Sequence, residues 1–474
     1  IIAIIMIITT INIPLATAES NVNYPPEGNK CGYIFSLKET PDFDITNDDI
    51  IVISADANVY VSKTIKAIKA IEDKVDINFI AENTPIQPIP IVDDNLELFS
   101  DEISEPNNTD IPETTNIPEI DTPVSTETPE TTEEPSSTNE PTATEEPTTT
   151  PLPEHYTNDL LYYQMWHHNA MRDYVYRENH ITGKGVKVGV IDTGIMRDWE
   201  DFEGVDIQDG INVCALLDNN EERLHIMGDA HPHGTGIIGN IAAKINNEKG
   251  IAGIVDECTV IPYKVEDTAC SDFANSGASI LKALQLAYED GCDVCNISMG
   301  SIGTPSDEEI KIFNSVVNSV TSNGMIIVAA TGNEGEVDKY GDLANANIYP
   351  ASCKNVIGVG AVEPDCEPLH LIVDDATGLY GEIGNPQHFQ VYGEINTYTF
   401  DMINNLERNQ YKKCDFSTAN DSVFISAPGK EIRTYAYGWE GVAPYISHMG
   451  TSEATPMVAA AAIGVKQMRP YIDT

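Results

Sequence analysis

The feature that most constrains the fold is an alternation of apolar strand-like runs and helical stretches after residue 154. The strand-like runs are VKVGVID, CTVIPYKV, DVCNISMG, GMIIVAA, NVIGVGAV and SVFISAPG. Helical periodicity is present between them, as in SGASILKALQLAYEDG and SDEEIKIFNSVVNSVTSNG. Repeated strand, helix and strand predict an α/β fold with a parallel sheet covered on both faces. In such sheets the functional groups gather beyond the carboxyl ends of the strands.

Composition distinguishes three parts of the chain after the first 30 residues. Residues 93–153 are rich in Pro, Thr and Glu and contain no Lys or Arg, so we predict a disordered linker there. Residues 31–90 contain the strand-like YIFSLK, IIVISA and VDINFIAEN and the amphipathic VSKTIKAIKAIED, which predict a small α+β unit with a β-α-β pattern. The main domain is expected over residues 155–474.

The first 18 residues are apolar and end in Ala16-Thr17-Ala18, which is typical of a secretory signal peptide. A membrane anchor is the alternative, but the run is short and interrupted, so we expect no stable membrane span. The chain has no initiator Met, and we expect the sequence to be truncated at its front. These features predict a secreted protein, either extracellular or associated with the cell surface.

Charge and cysteine content exclude other classes of function. The formal net charge of −49 argues against nucleic acid as a partner, because binding phosphates requires positive charge. Cys292 and Cys295 form a C-x-x-C inside an apolar strand-like run, where buried thiols are expected rather than a redox or metal site.

Four polar residues stand beside glycine-rich turns next to apolar elements. They are Asp192 in IDTG, His233 in HGTG, Asn333 in TGNEG and Ser452 in GTSEATP. Taken singly, each has an ordinary explanation: a helix cap, a satisfied histidine, a turn asparagine and an N-cap serine. A serine at the start of a helix would also lie where the dipole favours developing negative charge.

The order Asp, His, Asn and Ser, with these local motifs, resembles the subtilisin-like serine proteases (subtilases) from about Tyr162 to the C-terminus. The resemblance implies a three-layer subtilisin-like fold with a central, mostly parallel sheet. It also implies a secreted serine endopeptidase that hydrolyses proteins or peptides. Family members usually continue further, so we expect the 155–474 domain to be incomplete at its C-terminus.

The resemblance also implies roles for the four residues. Asp192 would orient His233, which would take the hydroxyl proton of Ser452 and return it to the leaving amine. Asn333 and the Ser452 backbone N–H would stabilise the oxyanion.

Substrate would pair in an extended conformation with Ser298, Met299 and Gly300, although these residues also suit an ordinary strand end. Ile348 would lie near the floor of the specificity pocket and shorten it.

A structural calcium site is also implied by the resemblance. Its ligands would be the side chains of Asp201 and Asn247 and the carbonyls of Ile245, Lys249 and Ile251. The alternative is a solvated Asp201 beside a plain turn. No cofactor is expected for catalysis.

The remaining features concern regulation and departures from the family pattern. Residues 31–90 occupy the position of a subtilase propeptide, which would act as an intramolecular inhibitor. Glu453 stands where many subtilases have Met, and would either raise the pKa of the His233–Ser452 system or repel acidic substrate residues. Residues 363–413 form an extra stretch, which we expect to be a surface insertion. Glu453 and the C-terminal portion expected to be missing motivate an alternative function, a catalytically silent subtilase-like binding or scaffold protein.

Overall fold

The computed structural model describes residues 24–41, 44–46, 49–72, 74–88, 157–228, 232–301, 305–373, 393–398, 402–403, 406, 410–435 and 445–472. The predicted signal peptide (1–18) and linker (93–153) lie outside these residues, as does part of the 363–413 stretch.

The N-terminal unit is an antiparallel sheet with one short helix. Its elements are β1 (Tyr33–Leu37), β2 (Ile50–Ser54), β3 (Val59–Ser62), α1 (Ile65–Lys69), β4 (Ile77–Glu82) and β5 (Ile86–Pro88). The first four strands form one sheet in the order β2-β3-β1-β4. The sequence pattern did not predict β3 as a separate strand, because its residues precede the helical repeat without a break. The observed order is therefore three strands, one helix and two strands, with one more strand before the helix than the sequence pattern indicated.

The larger domain contains the remaining described strands. These are β6 (Lys187–Asp192), β7 (Ile211–Asn212), β8 (Thr259–Lys264), β9 (Val294–Ile297), β10 (Met299–Ser301), β11 (Ile326–Ala330), β12 (Val356–Pro364), β13 (Leu369–Val373), β14 (Gly393–Thr397), β15 (Tyr411–Lys413), β16 (Ile425–Pro428), β17 (Ile432–Tyr435) and β18 (Tyr445–His448). Eight of them form a sheet in the order β15-β12-β11-β9-β6-β8-β7, with β16 also paired to β12. Within it only the β12–β15 pairing is antiparallel.

Eight described helices belong to this domain. They are α2 (Trp166–Met171), α3 (Tyr174–Glu178), α4 (Val213–Leu217), α5 (His233–Ala242), α6 (Gly277–Glu289), α7 (Asp307–Thr321), α8 (Val337–Tyr340) and α9 (Thr451–Met468). Four 3₁₀ turns lie at Tyr162–Gln164, Glu200–Phe202, Glu221–Arg223 and Gly341–Leu343.

The sheet separates two apolar cores, which makes the domain three-layered. Val188 and Val190 of β6 belong to the core that contains α5 and α9, whereas Ile191 belongs to the core that contains α6 and α7. This alternation follows from the two-residue period of a strand. The predicted α/β class with a mostly parallel sheet is confirmed.

The N-terminal unit packs on α6 and α7 and shares the second core with them. Buried polar contacts add to this packing: Ser54 Oγ donates to Gln285 Oε1 at 2.7 Å, and Asn83 Oδ1 accepts from the Ala278 N–H at 3.1 Å. The second contact satisfies one of the open N–H groups at the start of α6.

Two further sequence predictions are tested by the described residues. Cys292 and Cys295 are buried free thiols, as expected. In the part of the chain that the structure covers, no helix has the length and apolar character needed to cross a membrane.

Candidate active site

Four segments converge at the carboxyl edge of the parallel sheet. Asp192 is the last residue of β6, and Asn333 follows β11 after two residues. His233 is the first residue of α5, and Ser452 is the second residue of α9. All four side chains are buried, each with at most 1% of its surface exposed.

Asp192 and His233 form a close pair. The Asp192 Oδ1 atom lies 2.7 Å from His233 Nδ1 and also accepts the Thr193 backbone N–H at 2.8 Å. The start of α5 can lie this close to the end of β6 only with glycine at position 234, because a Cβ added there would lie 2.4 Å from the Gly194 carbonyl oxygen. A carboxylate at Nδ1 favours the tautomer that leaves Nε2 as the basic nitrogen.

Ser452 lies in the first turn of the 18-residue helix α9, with Gly450 at the N-cap position. It is therefore not the N-cap serine of the simpler explanation. Its carbonyl accepts from Ser298 Oγ at 2.9 Å, which ties the helix start to the residue before β10. Among the described residues, the Ser452 Oγ atom has no hydrogen-bond partner. A buried hydroxyl without a partner, at the positive end of a helix dipole, lies where negative charge that develops during a reaction is stabilised.

Asn333 is held in one orientation by the residue before Ser452. Its Oδ1 accepts from the Thr451 backbone N–H at 2.8 Å and lies 3.1 Å from Thr451 Oγ1. A Cβ built on Gly450 would lie 2.7 Å from Ser452 Oγ and 3.2 Å from Asn333 Nδ2. The hydroxyl and the amide donor therefore border the same point in space. The sequence interpretation missed the role of Thr451, whose only signal was its place in the Gly-Thr-Ser motif.

The residues predicted to hold substrate lie beside this centre. The single strand-like run DVCNISMG divides into β9 and β10, and Ser298 lies between them. β10 pairs antiparallel with β5 of the N-terminal unit, with Met299 opposite Pro88 and Gly300 opposite Gln87. The edge predicted to bind substrate is thus occupied by a strand from the same chain.

Ile348 fills the space between two glycine-containing segments. A Cβ on Gly300 would lie 2.2 Å from Ile348 Cγ2, and one on Gly332 would lie 2.9 Å from Ile348 Cγ1. Ile348 itself is 8% exposed. Its branched side chain therefore occupies the volume between β10 and the turn that carries Asn333.

The residues predicted to bind calcium form a closed hydrogen-bonded cluster. Asp201 Oδ2 accepts from Tyr445 Oη at 2.7 Å and from the Ile251 N–H at 3.0 Å, and Asp201 Oδ1 accepts from Asn247 Nδ2 at 3.3 Å. Asn247 Oδ1 accepts from the Lys249 N–H at 2.8 Å. Burial raises the pKa of Asp201 to about 6.

The backbone of this loop is also engaged. The Lys249 carbonyl accepts from the Leu160 N–H at 2.6 Å, and the Ile245 N–H donates to Asp256 at 3.3 Å. Calcium requires six to eight oxygen ligands, and here both side chains meant to supply them are bonded to protein donors. The calcium site therefore stays a prediction, and no step of the chemistry is assigned to the ion. No sequence pattern indicated the contact of Tyr445 with Asp201.

A carboxylate-paired imidazole, a hydroxyl at a helix N-terminus and an amide donor are the groups that the class of serine hydrolases uses for acyl transfer. Comparison with known proteins narrows the class. The sequence profile of the subtilase family matches residues 183–474, and the chain belongs to this family of serine proteases.

Individual relatives are moderately similar. Subtilisin Savinase from Lederbergia lenta is 30% identical over 290 residues, covering 61% of this chain and 79% of that protein. The Alkaline protease of Alkalihalobacillus alcalophilus is also 30% identical over 290 residues, but the match spans only 56% of its length. The fold is similar to that of fervidolysin from Fervidobacterium pennivorans, a keratinolytic enzyme related to subtilisin. The TM-score is 0.57 at 17% identity, and the match covers 94% of this chain and 56% of that one.

Proposed function

We propose that the protein is a secreted serine endopeptidase that cleaves peptide bonds of proteins. The observation that carries the proposal is the Asp192–His233 pair at 2.7 Å on the same sheet edge as Ser452 and Asn333. Family membership supports the reaction type. Secretion is inferred from the apolar residues 1–18, and one similar protein is named Minor extracellular protease Epr.

In the proposed reaction, His233 Nε2 removes the proton of Ser452 Oγ as this oxygen attacks the substrate carbonyl. Asp192 stabilises the imidazolium that forms, and the proton then passes to the leaving amine. Asn333 Nδ2 and the Ser452 N–H donate to the oxyanion. Water then attacks the acylated Ser452 through the same proton transfers, which releases the acid and restores the serine hydroxyl.

A catalytically silent scaffold is the competing function. A fluorophosphonate probe separates the two, because it labels only a serine activated by a neighbouring base. We expect labelling of the purified protein after limited proteolysis has removed the N-terminal unit, and no labelling of Ser452→Ala treated in the same way. If the folded wild-type chain stays unlabelled after the N-terminal unit has been removed by limited proteolysis, the silent function is correct.

The N-terminal unit is proposed to act as an intramolecular inhibitor. Support comes from the pairing of β5 with β10, because a strand on that edge excludes an extended substrate. Cleavage within residues 93–153, whose composition favours proteolysis, would release it. N-terminal sequencing of the mature secreted enzyme tests this step, and a mature chain that still begins before residue 93 would contradict it.

The substrate class is proposed to be peptides with a small residue before the scissile bond. The Cγ2 methyl and the Cγ1 methylene of Ile348 occupy the volume between Gly300 and Gly332, which leaves a shallow pocket.

A further inference from the structure

Glu453, the residue after Ser452, is a buried carboxylate for which the proposed reaction has no use. Only 1% of its surface is exposed. Its Oε2 accepts from Asn240 Nδ2 at 2.9 Å, and its Oε1 lies 3.3 Å from His448 Nδ1. Both partners are themselves buried, Asn240 fully and His448 to 98% of its surface.

The two partners belong to the elements that carry the reacting groups. Asn240 is in α5, seven residues after His233, and seven residues make about two helical turns, so the two lie on one face of that helix. His448 ends β18, immediately before the turn that leads to Ser452. Glu453 therefore connects the helix of the imidazole to the helix of the hydroxyl.

Burying a carboxylate is costly, and a buried charge is often replaceable by apolar groups without loss of stability. At this position the cost is reduced by the helix, because Glu453 lies in the first turn of α9, where the dipole favours negative charge. The geometry suggests a further role for this carboxylate, because its hydrogen bond with Asn240 joins α5 to α9.

We propose that Glu453 is a positioning residue. Through its hydrogen bond with Asn240 it keeps α5 and α9 in the relative position that the reaction of His233 with Ser452 requires. The inference rests on the proposed peptidase function. A displacement of about 1 Å between reacting groups can cost about a hundredfold in rate, so one such bond has a measurable effect on turnover.

The test compares three substitutions: Glu453→Ala, Asn240→Ala and Glu453→Gln. Each is made in the full-length chain, which is then cut within residues 93–153 by an added protease and separated from its N-terminal unit before the assay. Turnover of a short peptide thioester is measured per active site, with sites counted by fluorophosphonate titration so that unfolded molecules do not contribute. We expect Glu453→Ala and Asn240→Ala each to lower kcat about ten- to a hundredfold, with KM within about twofold. Glu453→Gln keeps an acceptor for Asn240, and its kcat should stay within about threefold of wild type.

The double variant Glu453→Ala/Asn240→Ala should be no slower than either single variant, because both remove the same bond. Lys466→Met is the matched control, since Lys466 is a buried charge on the same helix that donates to the Gly324 carbonyl at 2.8 Å and has no part in the site. Its kcat should be unchanged.

The inference is overturned if Glu453→Ala or Asn240→Ala turns over at the wild-type rate, if Glu453→Gln is as slow as Glu453→Ala, or if Lys466→Met slows the enzyme equally. If Glu453→Ala does not fold, Asn240→Ala decides. A wild type that stays unlabelled after removal of the N-terminal unit would instead overturn the proposed function, and this inference with it.

Discussion

At the scale of single residues, Asn333 has two separable roles. Its Oδ1 accepts from Thr451, whereas its Nδ2 is proposed to donate to the oxyanion. Asn333→Asp keeps the acceptor and removes the amide donor. We therefore expect kcat to fall about 10²- to 10³-fold with little change in KM. Steady-state kinetics on a peptide thioester, with thermal unfolding as a check on the fold, measures this. An unchanged kcat would remove Asn333 from the proposed mechanism.

Ile348 is the residue for which substrate preference can be predicted. Ile348→Gly removes the Cγ2 methyl beside Gly300 and the Cγ1 methylene beside Gly332, and so deepens the pocket. We expect kcat/KM for a peptide with Phe before the scissile bond to rise about 10- to 100-fold relative to the matching Ala peptide. Ile348→Val, which removes one methylene, is the control and should change the ratio far less. If the Phe-to-Ala ratio of Ile348→Gly equals that of wild type, Ile348 does not limit the pocket.

At the scale of elements, the sequence pattern predicted most of the parallel sheet. The run VKVGVID became β6 (Lys187–Asp192) and SDEEIKIFNSVVNSVTSNG became α7 (Asp307–Thr321). Such elements are predictable because apolar periodicity is local to the chain. The pairing of β5 with β10 and the contact of Glu453 with Asn240 join residues distant in sequence. No local pattern specifies them, and the same holds for the insertion of Tyr445 beside Asp201.

The hydrogen bonds of Asp201 lead to a prediction about metal removal. The Asp201 carboxylate already accepts hydrogen bonds from Tyr445, Ile251 and Asn247, so we expect a chelator to change Tm by less than about 2 °C. Tyr445→Phe removes a buried hydrogen bond to a carboxylate and should lower the free energy of unfolding by about 1.5–3 kcal/mol. Thermal unfolding with and without EDTA measures both. A large loss of Tm on chelation, restored by calcium, would establish the calcium site expected from the sequence.

At the scale of the whole molecule, the N-terminal unit and the larger domain meet at a buried carboxylate. Glu309 lies in the first turn of α7 and is 1% exposed. Its Oε1 accepts from Thr84 Oγ1 at 2.8 Å and from the Thr84 N–H at 3.1 Å. Burial raises the pKa of Glu309 from its ordinary 4.5 to about 7, with the nearby Glu82 acting in the same direction. The docked state therefore favours protonated Glu309.

The sign of the pH dependence follows from this raised pKa. Docking is strongest below the ordinary pKa of 4.5 and weakens as the pH rises through about 7, where Glu309 ionises in the docked state. Between pH 6 and 8 we expect the affinity of the N-terminal unit to fall about tenfold, as one ionising group allows. The measurement uses full-length Ser452→Ala cut within residues 93–153 by an added protease, followed by size-exclusion chromatography of the fragments at both pH values. Glu309→Gln cannot ionise and should dissociate equally at pH 6 and pH 8. If Glu309→Gln shows the same pH effect as the parent, other groups control the release. If the pH effect disappears in Glu309→Gln, the Glu309 carboxylate is the reason that the N-terminal unit dissociates more readily at pH 8.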